Sequence, residues 1–246
     1  MKNNILLQGL SELQKKDKDI DFLVSQSADK IISLLEQYIA QIELFNPAYG
    51  LVGVKTTEEL IIKHILDSLA PLGIICRLLK DMADSDIAPL VPPLVADIGS
   101  GAGLPGIPLS IAMSNWYPKN NEQPPCFCLV ERMGRRAGFL LNTIALLSAA
   151  NVTVEETDFE NISQKFNLIT FRAFKPLEPK LLKGLLKILA QGGCIAAYKG
   201  RHEKIEEEIA QLKTLPVFDT IEYQIIPYSV PFLNEDRHLL VISNSK

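Results

Sequence analysis

The chain has little that would staple it or anchor it. Its 246 residues hold four cysteines, Cys76, Cys126, Cys128 and Cys194. They are too few and too scattered for a disulfide framework, and none stands in a C-x-x-C pair. The three histidines, His64, His202 and His238, lie far apart, so no metal site is expected, and reduced thiols are the economical reading of the cysteines. Cys126 and Cys128 flank Phe127, the spacing that places both on one face of a strand. No long apolar run is present. The stretch 61–79 is interrupted by Lys63, His64, Asp67 and Arg77, which disqualifies it as a plain membrane span. The first apolar run, Ile5 to Leu7, is too short for the core of a secretion signal. With neither signal, a cytoplasmic location is expected. Charge of one sign is not in excess either: 25 Lys and Arg against 29 Asp and Glu leave a net −4. That excludes a generally basic nucleic-acid coat but leaves room for a local basic patch.

What is present is an ordinary globular composition, 47% apolar and 22% charged, which argues against disorder. The length suits one α/β domain with an extension. Apolar residues at 31, 32, 34, 35, 38, 39 and 42 keep a helical rhythm, which Asn46-Pro47 is expected to end. Thr56 followed by Glu59 is a capping-box signature ahead of Leu60, Ile61, Ile65 and Leu69. The polar, Pro-rich stretch from Asp81 to Pro93 reads as a linker, giving an N-terminal helical extension over 1–90 packed on a second unit over 91–246. There, short apolar runs at 94–96, 127–130, 152–154, 168–171 and 194–198 alternate with helical patterns at 107–113, 135–148 and 181–189. Such alternation predicts a mostly parallel, Rossmann-like sheet wound by right-handed crossovers. The runs 221–226 and 238–242 add an antiparallel hairpin, and 114–125 reads as a surface loop.

The most informative segment is Asp97-Ile98-Gly99-Ser100-Gly101-Ala102-Gly103-Leu104-Pro105-Gly106, between a strand and a helix. Glycine reaches positive φ and lets a ligand approach without a Cβ in the way. Two cofactor classes fit. Gly101, Gly103 and Gly106 match G-x-G-x-x-G, which seats a pyrophosphate at a helix N-terminus and would make the protein an NAD(P)-dependent oxidoreductase. Gly99, Gly101 and Gly103 behind Asp97 match D-x-G-x-G-x-G, motif I of class I S-adenosylmethionine methyltransferases. That cofactor carries a sulfonium and an ammonium and no phosphate, so the carboxylate of Asp97 favours the second class. Glu131, at the end of the second strand, suits the ribose hydroxyls in either.

Residues 97–112 resemble the glycine motif of the RsmG family, also called glucose-inhibited division protein B. Four more blocks agree in order: His64-Ile65-Leu66-Asp67-Ser68, Arg172-Ala173-Phe174, Tyr198-Lys199-Gly200, and Arg237 to Ile242. The resemblance implies a class I methyltransferase that uses S-adenosylmethionine to methylate N7 of one guanine in bacterial 16S ribosomal RNA, free or in the small subunit, and a monomer is expected. It implies that Gly99 and Leu104 touch the cofactor, that Phe159 and Glu160 flank its adenine, and that Arg172 is a cofactor-side arginine. The chain departs from the family in a longer 114–126 loop, in an extended N-terminus, in Gly50-Leu51-Val52 where Asn-Leu-Thr is usual, and in Tyr198 where leucine is usual.

Guanine N7 is an exposed lone pair. Its methylation removes no proton from the attacking atom, so neither a general base nor a covalent nucleophile is required; positioning suffices. No cysteine stands in a nucleophile motif. Asn46-Pro47-Ala48-Tyr49 resembles the Asn-Pro-Pro-Tyr grip of amino-group methyltransferases only faintly, and helix termination accounts for it. Residues 172–204 carry eight Lys and Arg and two Asp and Glu, net +6, leaving 17 minus 27, or −10, for the remainder. Together with the cluster Arg132, Arg135 and Arg136, this makes Arg135, Arg136, Lys175, Lys199 and Arg201 the candidate RNA contacts. A solvated helix face is the plainer reading for Lys180, Lys183 and Lys187. His64 and Asp67 are read as structural hydrogen-bonding groups or as neighbours of the site.

Overall fold

Strand order decides where a ligand can enter. The computed structural model describes residues 3–83, 92–116 and 123–244. Its strands are β1 (Leu94–Ile98), β2 (Cys126–Val130), β3 (Val152–Glu155), β4 (Phe166–Arg172), β5 (Leu189–Lys199), β6 (Ile221–Tyr228) and β7 (Arg237–Asn244). They form one sheet in the order β3-β2-β1-β4-β5-β7-β6. The first five run parallel; β7 pairs antiparallel with both β5 and β6. The winding reverses between β1 and β4, and in open α/β sheets the crevice beyond the carboxyl ends of such a strand pair is the ligand site.

Side chains alternate across the sheet. Val95, Phe127, Leu129, Leu168 and Ala196 face one apolar core; Ala96, Ile98, Val130, Ile169 and Ala197 face the other. Four connecting helices cover these faces: α7 (Gly106–Ala112), α8 (Gly134–Leu146), α9 (Pro179–Ile188) and α10 (His202–Leu212). Before the sheet come α1 (Asn3–Lys16), α2 (Lys18–Ser25), α3 (Ala28–Tyr49), α4 (Thr57–Leu60), a π-helical turn (Ile61–Leu66), α5 (Asp67–Leu69) and α6 (Leu72–Ala83). Their buried residues, from Leu6 to Leu79, belong to the same core as Val95 and Leu168, so the N-terminal helices share one apolar interior with the sheet. Among the described residues no helix is long and apolar enough to cross a membrane.

Several sequence expectations are refined. The capping box is real: the Thr56 hydroxyl accepts from the Glu59 N–H at 3.1 Å. Pro47, by contrast, does not end α3. It sits in the last turn, where the one backbone bond that its missing N–H forfeits interrupts little helix beyond it. The stop comes at Gly50, left-handed at φ 58, whose N–H donates to the Asn46 carbonyl. The Asn46 amide then clasps Val52, donating to its carbonyl and accepting from its N–H. β5 begins five residues earlier than the apolar run suggests. Helix α10 is absent from the sequence reading, although Ile205, Ile209 and Leu212 are buried at helical spacing. Within the expected linker, residues 81–83 finish α6 and 84–91 lie outside the described residues; of the expected surface loop, so do 117–122.

A buried ionic tie joins the N-terminal helices to the sheet. The Asp67 carboxylate meets Arg172 Nη1 at 3.1 Å, Arg237 Nε at 3.4 Å and the Tyr228 hydroxyl at 3.1 Å. Its side chain is 5% exposed, and those of Arg172 and Arg237 are 12% and 18% exposed. Removing one member of such a pair leaves charges buried without a counterpart. Asp67→Ala is therefore expected to lower the unfolding free energy by about 3 kcal/mol in urea titration, whereas Glu207→Ala, which breaks an exposed pair with Lys204, should leave the midpoint in place.

Candidate cofactor and substrate clefts

The glycine turn is held from three sides. Gly99, Gly101 and Gly103 all have positive φ, at 67, 59 and 93°. From below, Asp97 Oδ2 accepts from the Ser100 hydroxyl at 2.6 Å and the Gly106 N–H at 3.0 Å. Its other oxygen is buried without a partner. Burial pushes this carboxyl up to about 6, against the opposing pull of the Ser100 and Gly106 hydrogen bonds. From the side, Glu131 accepts from Gly101 N–H at 3.0 Å and Met133 N–H at 2.8 Å. From the N-terminal helices, the buried Tyr38 hydroxyl donates to the Ala102 carbonyl at 2.7 Å.

The four glycines do different work. A Cβ on Gly103 would strike Ile107, and one on Gly106 would strike Leu129 and Asp97, so both serve close packing. A Cβ on Gly99 would meet the ring of Phe174 at 2.0 Å. At Gly101 the nearest atom is the Gly99 carbonyl at 3.8 Å; the space above it is open.

Two clefts flank this turn. The larger, of about 830 Å3, is walled by Gly99, Gly101 and Leu104, by Leu51–Gly53, by Lys63, His64 and Asp67, and by Arg172, Ala173, Tyr198 and Arg237. The smaller, of about 200 Å3, lies among Glu131, Met133, Thr157, Asp158, Phe159 and Gly99. Phe174 and Lys175 border both. The Phe174 ring meets Phe159 edge to face with centroids 6.0 Å apart, and Lys175 Nζ lies 5.2 Å from the Phe174 centroid. Ala173 precedes them in a left-handed conformation, φ 51, which is uncommon for a residue with a Cβ.

The predicted cofactor residues therefore divide. Gly99, Gly101, Leu104 and Arg172 wall the large cleft, and Glu131 and Phe159 the small one. Asp97 and Gly103 wall neither; they sit beneath the turn and set its shape. Glu160 also lies outside both, exposed and paired with Lys180 at 3.1 Å. The residue beside the small cleft is instead Asp158, whose carboxylate caps the 310 turn Phe159–Asn161 by accepting from the Glu160 N–H. An acid three residues beyond the third strand, just ahead of Phe159, is the available signal for it.

The predicted RNA contacts divide as well. Arg135 and Arg201 are exposed and outside the clefts. Arg136 borders both clefts and donates to the Gly50 carbonyl at 3.4 Å. Lys175 is exposed at the junction of the two clefts. Lys199 is no free cation: its side chain is 11% exposed, ion-paired with Glu208 and lying 5.7 Å from the Phe171 centroid. Glu208 is on α10, the helix missing from the sequence reading.

Arg172 links the large cleft to the π turn. Its Nη1 donates to the carbonyls of Lys63 and His64 at 3.3 and 3.4 Å as well as to Asp67, and its Nη2 lies 2.8 Å from His64 Nδ1. A guanidinium has no acceptor. Nδ1 must therefore accept, and the ring's hydrogen is on Nε2. Burial first, then the charges of Arg172, Lys63 and Arg237, drive the His64 pKa down to about 3, so the imidazole is neutral at physiological pH. The thiols are inert by the same physics: burial raises Cys128 to about 11 and Cys76 and Cys194 to about 12.

Comparison with known proteins agrees with this geometry. Residues 31–240 match the family model for rRNA small subunit methyltransferase G. A protein of that name from Treponema denticola is 34% identical over 98% of this chain and 94% of its own length. Its namesake from Treponema pallidum is 36% identical over 89% of this chain and 87% of its own length. Among solved structures, an rRNA methylase from Streptococcus thermophilus covers 72% of this chain and 97% of its own, at 14% identity and a TM-score of 0.48, too loose a likeness to argue from. With most of its length matched by the family model and by relatives above 30% identity, the chain belongs to the small-subunit ribosomal RNA methyltransferase G family.

Proposed function

We propose that this protein methylates N7 of a guanine in 16S ribosomal RNA, with S-adenosylmethionine as methyl donor. The observation that carries the reading is the pair of clefts meeting over Gly99 and Gly101, with a carboxylate and an apolar ring on the small side and polar groups on the large side. The residues present fit that cofactor. Glu131 can take ribose hydroxyls on lone pairs left free by Gly101 and Met133, and Phe159 gives an apolar face for an adenine. The open space above Gly101 admits a chain that a side chain would block. When bound, the donor supplies an electrophilic methyl on a sulfonium.

This chain's residues then have to orient and exclude water, and little else. N7 attacks through a lone pair, so no proton leaves the attacking atom and no base is needed. The large cleft matches that demand: His64 is held neutral, and Arg172 is paired with Asp67 and hydrogen-bonded to His64 and two carbonyls. Arg132 and Lys175 beside the clefts, and Arg135 and Arg201 outside them, are exposed cations able to meet phosphates.

Incubating the protein with methyl-labelled donor and 16S RNA or small subunits, then mapping the label, should place it on N7 of one guanine; label on another atom would remove the proposal. Gly101→Val should weaken S-adenosylhomocysteine binding by about 100-fold or more in calorimetry, equivalent to roughly 2.7 kcal/mol, while lowering stability by only about 1–2 kcal/mol for a branched residue at positive φ. Unchanged affinity in that variant contradicts the cofactor assignment. Removing the two cations outside the clefts, in Arg135→Gln/Arg201→Gln, should make the slope of log RNA affinity against log salt shallower, by about 0.7–0.9 for each phosphate no longer neutralised, and leave S-adenosylhomocysteine affinity unaltered.

A further inference from the structure

The large cleft contains one polar group whose surroundings specify what it must bind. His64 projects from the π turn, whose Lys63 and His64 carbonyls, together with Asp67 at the start of α5, meet Arg172 at the end of β4. Its Nδ1 is occupied by Arg172 at 2.8 Å. Its Nε2, which carries the hydrogen, has no hydrogen-bond partner among the described residues, and the ring walls the large cleft beside Arg172 and Ala173. A polar hydrogen facing a cleft without a partner is a donor awaiting an acceptor.

A purine substrate presents a decisive atom at that place. Guanine carries the acceptor O6 next to N7; adenine carries the N6 amino donor there. We propose that His64 Nε2–H donates to O6 of the target base and so selects guanine over adenine. This rests on the N7 reading above and deepens it. An unconstrained imidazole could exchange tautomers and offer an acceptor to an N6 amino group. Arg172 forbids that, because it has only hydrogens to offer Nδ1. The donor is thus fixed, adenine meets N–H against N–H, and discrimination includes a repulsive element. A neutral donor on O6 also draws less electron density from the ring than a cation would, which leaves the N7 lone pair nucleophilic. Of the charged groups facing the ring, Arg172, Lys63 and Arg237 oppose its protonation, and Asp67 is already held by Arg172, Arg237 and Tyr228.

The test is a cycle between His64 and O6. Wild type and His64→Phe are assayed on RNA bearing, at the mapped position, either guanine or 2-aminopurine, which keeps N7 and lacks O6. The guanine-to-2-aminopurine ratio of kcat/KM should be about tenfold or more larger in wild type than in His64→Phe, the equivalent of one hydrogen bond of roughly 1.4 kcal/mol. His64→Gln, which restores an N–H, should recover part of the ratio. S-adenosylhomocysteine affinity reports whether each variant keeps its fold. Equal ratios in wild type and His64→Phe overturn the assignment while wild-type methylation of guanine N7 stands. No N7 methylation by the wild type overturns the underlying reading and this inference together. Should His64→Phe fail to fold, 15N spectra of the wild-type ring decide: the Nε2–H resonance should move on binding guanine RNA and stay put with 2-aminopurine RNA. No movement with either, or equal movement with both, sinks the proposal.

Discussion

Everything around the large cleft depends on one buried ion pair, Asp67 with Arg172. Asp67 comes from the N-terminal helices and Arg172 from the end of β4, 105 residues later. Burying two charges is costly unless each is hydrogen-bonded on every side. Here each is. Asp67 also accepts from Tyr228 and meets Arg237, both from the C-terminal hairpin; Arg172 also reaches two carbonyls and a histidine nitrogen. Three parts of the chain are thereby fixed at one point, the carboxyl edge of the sheet. An apolar cluster there could have held the same elements together, but it could not have fixed a histidine tautomer. The polar tie therefore does something that packing alone cannot.

The glycine turn shows the complementary solution. Its backbone needs positive φ at three residues, which is tolerable only where Cβ atoms are absent. Shape is then imposed from outside by the carboxylates of Asp97 and Glu131 and by the hydroxyl of Tyr38. Asp97 is the more demanding of the two acids, fully enclosed and with one oxygen unpartnered. Its raised pKa means that the native state holds a proton more readily than the unfolded chain between the ordinary carboxylate range near 3.8 and about 6. This group's contribution to stability accordingly falls as pH rises through that window. An acid kept at such a cost beneath the turn is a sign that its negative charge, close to the clefts, serves a cationic ligand better than a pyrophosphate.

Much of this was legible in the sequence because it is written locally. Short continuous apolar runs give the strands, the glycine spacing gives the turn, and Glu131 follows from being the acid at the end of β2. Pairings between distant segments were not legible. Lys199 reads as a free cation until α10 brings Glu208 to it, and the sign of α10, Ile205, Ile209 and Leu212 at spacings of four and three, is diluted by five charged residues among its eleven. The pairing of Glu160 with Lys180, and the place of Asp158 beside the small cleft, were likewise not legible. Pro47 reads as a stop because proline removes a donor, yet in a last turn only one bond is forfeited and Gly50 sets the end. His64 and Asp67 read only as structural groups or neighbours of the site; nothing local announces the π turn over Ile61–Leu66 or the meeting of both residues with Arg172.

The charge distribution and the chemistry fit each other. A protein of net −4 must approach a polyanion through a restricted surface; of its exposed cations, Arg132 and Lys175 border the clefts and Arg135 and Arg201 lie outside them. Inside the large cleft, Arg172 is paired with Asp67 and Lys199 with Glu208, and the histidine is neutral. Free positive charge in the cleft would repel a sulfonium and withdraw electrons from the base that must attack it. Free positive charge at the rim attracts phosphates and is screened from the reacting atoms by solvent. Separating the two demands by a few residues along β4 and the loop after it, Arg172 paired inside and Lys175 exposed at the edge, lets one short segment serve RNA affinity and methyl transfer without compromising either.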